Sequence, residues 1–179
     1  MKLSRLLAIP AVAGAMVLAQ TVGISPAHAG FDDLACNYDY VHFNACLNFQ
    51  DAGETNQVTA HVGLDAFMPE WYAQAIVAHG AQVRAWLWGD DGGNDHFIAE
   101  LTVMPGWPAA GPSGLGAELS AANLYRGDLD EDPYDEDEIY AVVSYFDPSQ
   151  GQVTYRTGTV HGEFAPMGGG GDGCLVACQ

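Results

Sequence analysis

The chain has 179 residues, with 23 Asp or Glu against five Lys or Arg, a formal net charge of −18. Charge of this sign and size opposes phosphate backbones and anionic lipid headgroups at long range, which excludes nucleic-acid binding and adsorption to an anionic bilayer. Its natural complement is a divalent cation or a cationic protein, with solubility in a salty medium as the plain alternative.

Residues 1–29 read as a secretory signal peptide. Lys2 and Arg5 form a positive start, 6–18 is an apolar run interrupted by Pro10, and Ala27, His28 and Ala29 make a small-x-small cleavage site. The run is shorter than the roughly 20 apolar residues a membrane span needs, so export to the extracellular space is expected, without membrane insertion after cleavage. The remainder divides into a domain over 30–164 and a glycine-rich tail over 165–179 that carries two cysteines. It contains no lysine, and Arg84, Arg126 and Arg156 are its only arginines. It is long enough for one domain with its own core, expected to be a monomer.

The four cysteines, Cys36, Cys46, Cys174 and Cys178, are even in number in a chain expected to be exported, which favours two disulfides. Sequence proximity favours Cys36 with Cys46 and Cys174 with Cys178. The glycines at 168–171 also allow the tail to return to the N-terminal pair, and the spacings match no usual zinc cluster.

In chain order, 30–40 is a polar and aromatic lead-in. Val41, Phe43, Ala45, Leu47 and Phe49 then alternate with polar residues, the pattern of a half-buried first strand. Val58, Ala60, Val62 and Leu64 repeat it. A helix follows: Pro69 and Glu70 suit a first turn, Trp71, Ala75, Ile76 and Ala78 supply an apolar face that hides Trp71 against the sheet, and Gly80 is placed for a left-handed C-cap. The stretch 81–103 reads as two strands joined by an acidic, glycine-rich loop, with Val83, Ala85 and Leu87 on one face of the first and Arg84, Trp86 and Trp88 on the other. The three prolines and four glycines of 104–116 mark a loop around Trp107. A weaker fifth strand covers 117–124 with Leu119 and Ala121 inward. The run 128–138 has eight carboxylates in eleven residues. After it, 138–146 is apolar on both faces, as a central strand is, and 152–161 forms a seventh strand. Seven strands and one short helix between the second and third predict an all-β, two-layer antiparallel β-sandwich.

If successive strands reverse direction, the loops at 50–56, 89–95 and 128–138 emerge at one end, and their carboxylates crowd together there. Calcium fits such a site, since it accepts six to eight oxygens in loose geometry. The expected ligands are Asp90, Asp91, Asn94, Asp95, Asp128, Asp130 and Asp132. Asp128, Asp130 and Asp132 repeat the opening of an EF-hand loop, but Pro133 stands at the turn glycine and Ile139 at the closing glutamate, which excludes that motif. The plan is similar in architecture alone to C2-type and cadherin-type calcium modules.

No catalytic signature emerges, so the chain reads as a binding module rather than an enzyme. Ser113 lacks the flanking glycine of a nucleophile elbow, and His42, His61, His79, His96 and His161 fall at no metal-ligand spacing. Arg126-Gly127-Asp128 is read as a chance tripeptide. Two alternatives to calcium remain: Trp86 and Trp88 exposed on a sheet face as a platform for sugar rings, giving a carbohydrate- or cell-wall-binding module, and an inhibitor loop braced between Cys36 and Cys46. Burial of both tryptophans would remove the platform.

Overall fold

The computed structural model describes residues 34–51, 56–130 and 136–164. They form β1 (Leu34–Asp39), β2 (Phe43–Asp51), β3 (Gln57–Phe67), α1 (Glu70–Ala78), β4 (Arg84–Gly89), β5 (His96–Val103), β6 (Ala109–Gly111), β7 (Gly114–Tyr125), β8 (Asp137–Asp147), β9 (Gly151–Arg156) and β10 (Val160–Gly162). Every pairing among them is antiparallel. The all-β class and the single helix after the second of the expected strands are as the sequence predicts. The signal peptide, Asp132, Cys174, Cys178 and the glycine-rich tail lie outside the described residues.

The expected two-layer sandwich of seven strands gives way to one ten-stranded sheet, in the order β1-β2-β3-β7-β5-β4-β8-β10, with β6 on β7 and β9 on β8. Three of the extra strands have local causes. The lead-in forms β1 because Leu34 to Asp39 pairs in register with β2, Cys36 directly opposite Cys46. The proline- and glycine-rich loop holds β6, folded onto the start of β7. The predicted seventh strand is split at Thr157, whose backbone N–H still donates to Ala141 O at 2.9 Å while its Oγ1 accepts the Ala141 N–H at 2.9 Å.

The sheet stays continuous because β5 pairs along most of its length with β4 and, through Thr102 and Val103, with β7. Ile98 is an extra residue between the Leu87–Ala99 and Trp88–Phe97 pairs, a bulge that sharpens the bend. The two ends of the sheet come close to closing a barrel. Asn37 Nδ2 donates to Arg156 O at 3.1 Å, and Phe43 stacks on Tyr155 with centroids 4.2 Å apart. A Cβ on Gly158 would stand 3.0 Å from the backbone N and O of Cys36, so the seam needs a residue without a side chain.

Period-two alternation builds the core. Val58, Ala60, Val62, Leu64 and Ala66 of β3 face Leu115, Ala117 and Leu119 of β7, while Leu47, Phe49, Leu87, Leu101, Ile139, Val143 and Phe164 fill the rest. Each large aliphatic or aromatic side chain so buried contributes about 1.5–3 kcal/mol.

The helix packs against β6 and β7 through Ala73 and Ile76, with Tyr72 and Val77 beside them. Gly80 has φ 78°, as the C-cap reading requires. Trp71, expected to be hidden, is 69 % exposed, because the buried stripe runs one residue later and turns the first-turn indole outward. Tyr72 ties this pole to the β8–β9 turn: its hydroxyl donates to Asp147, at 2.8 Å and 2.9 Å from the two carboxylate oxygens. Burial alone would raise the Asp147 carboxyl, but hydrogen bonds from Ser149, Tyr72 and Gln150 outweigh it and hold the group below the usual carboxylate value.

Candidate functional site

The opposite pole holds the ends of β2, β4 and β7, as strand reversal requires. The Asp90 N–H donates to Glu138 O at 2.7 Å, which sets the β4–β5 loop against the start of β8. The short 3-10 turn at Arg126–Asp128 sits beside the end of β2, where the buried Arg126 guanidinium reaches both oxygens of Asp51 at 2.8 Å.

The acids proposed as calcium ligands are placed as follows. Asp90 is ion-paired to Arg156. Asp91 lies 3.1 Å from His96 Nδ1. Asp95 accepts the Tyr140 hydroxyl at 2.7 Å. Asn94 and Asp128 are exposed, and the Asp130 N–H donates to Arg126 O at 3.0 Å. Burial first and the charge of Asp137 second push the Asp130 carboxyl above its ordinary value. Among the described residues, no group of three or more His, Cys, Asp or Glu is close enough to hold a metal ion. Asp90 and Asp51 are paired with arginines of the chain, while Asp91 and Glu138 lie beside His96 and His161, the latter pair 3.3 Å apart.

The outer wall of the sheet offers a different kind of site. Strand pleating turns Ala85 and Leu87 inward and Arg84, Trp86 and Trp88 outward on β4. Register then sets Tyr140 of β8 beside Trp88, Val142 beside Trp86, and Ser144 beside Arg84. On the other flank the bulge brings Phe97 of β5 opposite Trp88, the two rings edge to face at 5.8 Å. Trp86, Trp88, Phe97, Tyr140, Val142 and Asp95 line an open groove of 590 Å3. Trp86 also borders a second hollow of 220 Å3, among Arg84, Ser144, Phe146 and Gln152. The two together form a track along β4, apolar at one end and polar at the other.

Neither tryptophan is core: both are half-buried, so their edges rest on neighbours while part of each ring meets solvent. The Trp88 indole N–H is buried without an acceptor among the described residues, an uncommon state for a strong donor. At the rim, the Arg156 guanidinium stacks 3.5 Å from the Tyr140 ring centre while bonding Asp90. The Tyr140 hydroxyl is pushed up to about 12 by burial, then by its hydrogen bond to Asp95 and that carboxylate's charge, against the opposing pull of Arg156. It therefore remains a proton donor at any physiological pH.

The sequence reading found Trp86 and Trp88 but missed Phe97, Tyr140, Val142 and Arg156. Tyr140 and Val142 sit in a strand apolar on both faces, so no alternation marks which face they take, and the bulge at Ile98 turns Phe97 out of step with the inward-facing Leu101 further along β5.

The Cys36–Cys46 disulfide joins directly opposed residues, with Cα atoms 4.0 Å apart. It braces the hairpin whose tip carries Tyr40 and Val41, 91 % and 71 % exposed. That tip is a tight turn, closed by the His42 N–H bonding Asp39 O at 3.0 Å. Among the described residues no helix is long and apolar enough to cross a membrane. Comparison with protein-family models, with curated proteins and with solved structures finds no match.

Proposed function

We propose that the protein is an exported carbohydrate-binding module whose ligand lies along the outer wall of β4, β5 and β8. The observation that carries this reading is the pair Trp86 and Trp88, two residues apart on one strand and half-buried along a groove completed by Phe97 and Tyr140. Sugar rings present flat apolar faces with hydroxyls at their edges. Aromatic side chains meet the faces, and Asp95 in the groove with Arg156 at its rim offers polar groups for the edges. A track extended by the second hollow suits a chain of sugars better than a single ring. Export is supported by the N-terminal signal pattern together with a disulfide of the kind that persists in oxidising compartments. The mass of the secreted product, expected to begin at Gly30, tests it.

Calorimetric titration with soluble oligosaccharides tests the binding reading. The intact protein takes up a chain of several sugars, and Trp86→Ala weakens it by about tenfold or more, the worth of one stacked aromatic contact. Failure of every oligosaccharide class to bind, or full binding by the variant, would remove the reading.

A calcium-loaded acidic pole is the second reading. It is favoured by Asp130, where burial and the nearby Asp137 leave a carboxylate that gains from an added cation. It ranks behind because Asp90, Asp91 and Asp95 already have partners within the chain. Its test is the melting temperature in millimolar calcium against sodium chloride of matched ionic strength, since a ligand bound only to the folded state raises it.

A further inference from the structure

We infer that the groove selects sugar chains bearing amino groups, of the polyglucosamine type, over neutral or uronic-acid chains of the same length. This rests on the carbohydrate reading and names its substrate class.

Three observations carry it. First, the groove is an open aromatic surface with a carboxylate at its edge: Trp86, Trp88, Phe97 and Tyr140 line it together with Asp95. Aromatic faces attract an ammonium group through their quadrupole, most strongly for Trp and when water is partly excluded, and a carboxylate nearby completes the match. A neutral sugar uses the stacking surface but gains nothing from either charge effect.

Second, the wall already holds a cation in this manner. Arg156 lies over the Tyr140 ring at 3.5 Å and bonds Asp90, so one aromatic face and one carboxylate together seat a guanidinium at the groove's rim. Asp95 accepts a hydrogen bond from the hydroxyl of the same tyrosine and, among the described residues, is paired with no arginine. At the other end of β4, Arg84 faces Glu100 at 3.9 Å, so the basic groups along this wall each stand beside an acid.

Third, the long-range field has one sign. A net charge of −18 draws a polycation toward the surface and repels a uronic-acid chain before any contact forms. The acidic pole adjoins the groove through the 90–95 loop, so the field is concentrated where the chain docks. Attraction of this kind is screened by salt, whereas stacking is not.

The experiment is a calorimetric titration of the full chain with glucosamine oligomers and N-acetylglucosamine oligomers of equal length, below the pH at which the amines lose their protons. At low ionic strength the amino oligomer is expected to bind about tenfold tighter than its acetylated counterpart, with the gap narrowing as salt is added. Asp95→Asn, which keeps an acceptor for Tyr140 but removes the charge, narrows the gap by about threefold. Trp86→Ala weakens the amino oligomer more than the acetylated one, because the ammonium loses an aromatic face as well as the stacking surface. Equal binding of the two oligomers overturns the inference and leaves the carbohydrate reading standing; absence of binding by both overturns the inference, and the carbohydrate reading falls with it only when neutral and uronic-acid oligomers also fail to bind. A preference for the amino oligomer undiminished in Trp86→Ala also overturns it, since the acidic surface as a whole is then the attractant. Far-UV circular dichroism of each variant confirms that the comparison is between folded proteins.

Discussion

The four tryptophans fall into two pairs with opposite lessons. Trp71 and Trp107, at the helix pole, are the more exposed, at 69 % and 39 %. Each stands on its own element, one on the first turn of α1 and the other in the loop before β6, where its ring lies so close to β7 that a Cβ on Gly116 would come within 2.8 Å of it. Trp86 and Trp88 are less exposed but share one strand, one face and one groove, with Phe97 and Tyr140 fixing their flanks. Exposure alone does not make a recognition surface. Trp71 rests on Tyr72 and Trp107 on β7, so rings at both poles are held; what the wall has and the helix pole lacks is two such rings side by side on one strand over a shared groove.

The largest effect that would break this contrast is on ligand affinity. Replacing both Trp86 and Trp88 by Ala is expected to cost about a hundredfold in oligosaccharide affinity, whereas Trp71→Ala changes it by less than about twofold. Loss of binding on removing Trp71 would reverse the assignment.

A second change strikes the scaffold and leaves the groove residues alone. Gly158→Val forces a branched side chain against the Cys36 backbone at the seam, with an expected loss of about 2 kcal/mol seen in a denaturant midpoint. Binding measured on the folded fraction is expected to persist, because the seam contributes no group to the groove.

Tyr72→Phe sharpens the contrast from the helix side. It removes the phenol donor to the buried Asp147 carboxylate and is expected to cost about 1.5 kcal/mol, with the affinity for sugar unchanged.

The smallest effect is on pH dependence. Glu118 sits above its ordinary value through burial and then the nearby Asp65 charge, offset in part by His61, and Asp130 is raised as described. A raised carboxyl binds its proton more tightly in the folded state, so stability climbs as pH falls from 7 through the range just above the ordinary carboxylate pKa of about 4. Asp147 acts in the opposite direction. Its depressed pKa gives stability that is complete above about pH 4 and drains as pH falls through the folded value. Melting temperature plotted against pH is therefore expected to peak on the acid side of neutrality and then drop; a monotonic fall from pH 7 downward would contradict these assignments.

The sequence carried the strands whose faces differ. Val58 to Ala66 alternates without a break, and the burial of β3 follows it residue by residue. Strand reversal correctly brought the ends of β2, β4 and β7 to one pole. Closure of the sheet was not legible, because it depends on β5 pairing with two partners and on Gly158 meeting Cys36, contacts between segments far apart in the chain. The single sheet of ten strands follows from those contacts, and local alternation is the same for a sandwich. At the site, Trp86 and Trp88 were marked by parity, but their partners on β8 were hidden by a strand buried on both sides. The acidic loops drew attention through composition, yet composition does not reveal that Arg156 and His96 already stand beside Asp90 and Asp91.

The four indole N–H resonances of the protein, followed by nuclear magnetic resonance during titration with an amino-sugar oligomer, test the central claim directly. The Trp86 and Trp88 signals are expected to move as their rings stack on the ligand, while those of Trp71 and Trp107 stay in place. Movement of Trp71 or Trp107 alone, or of none of the four at saturating ligand, would contradict the assignment of the β4 wall as the binding surface.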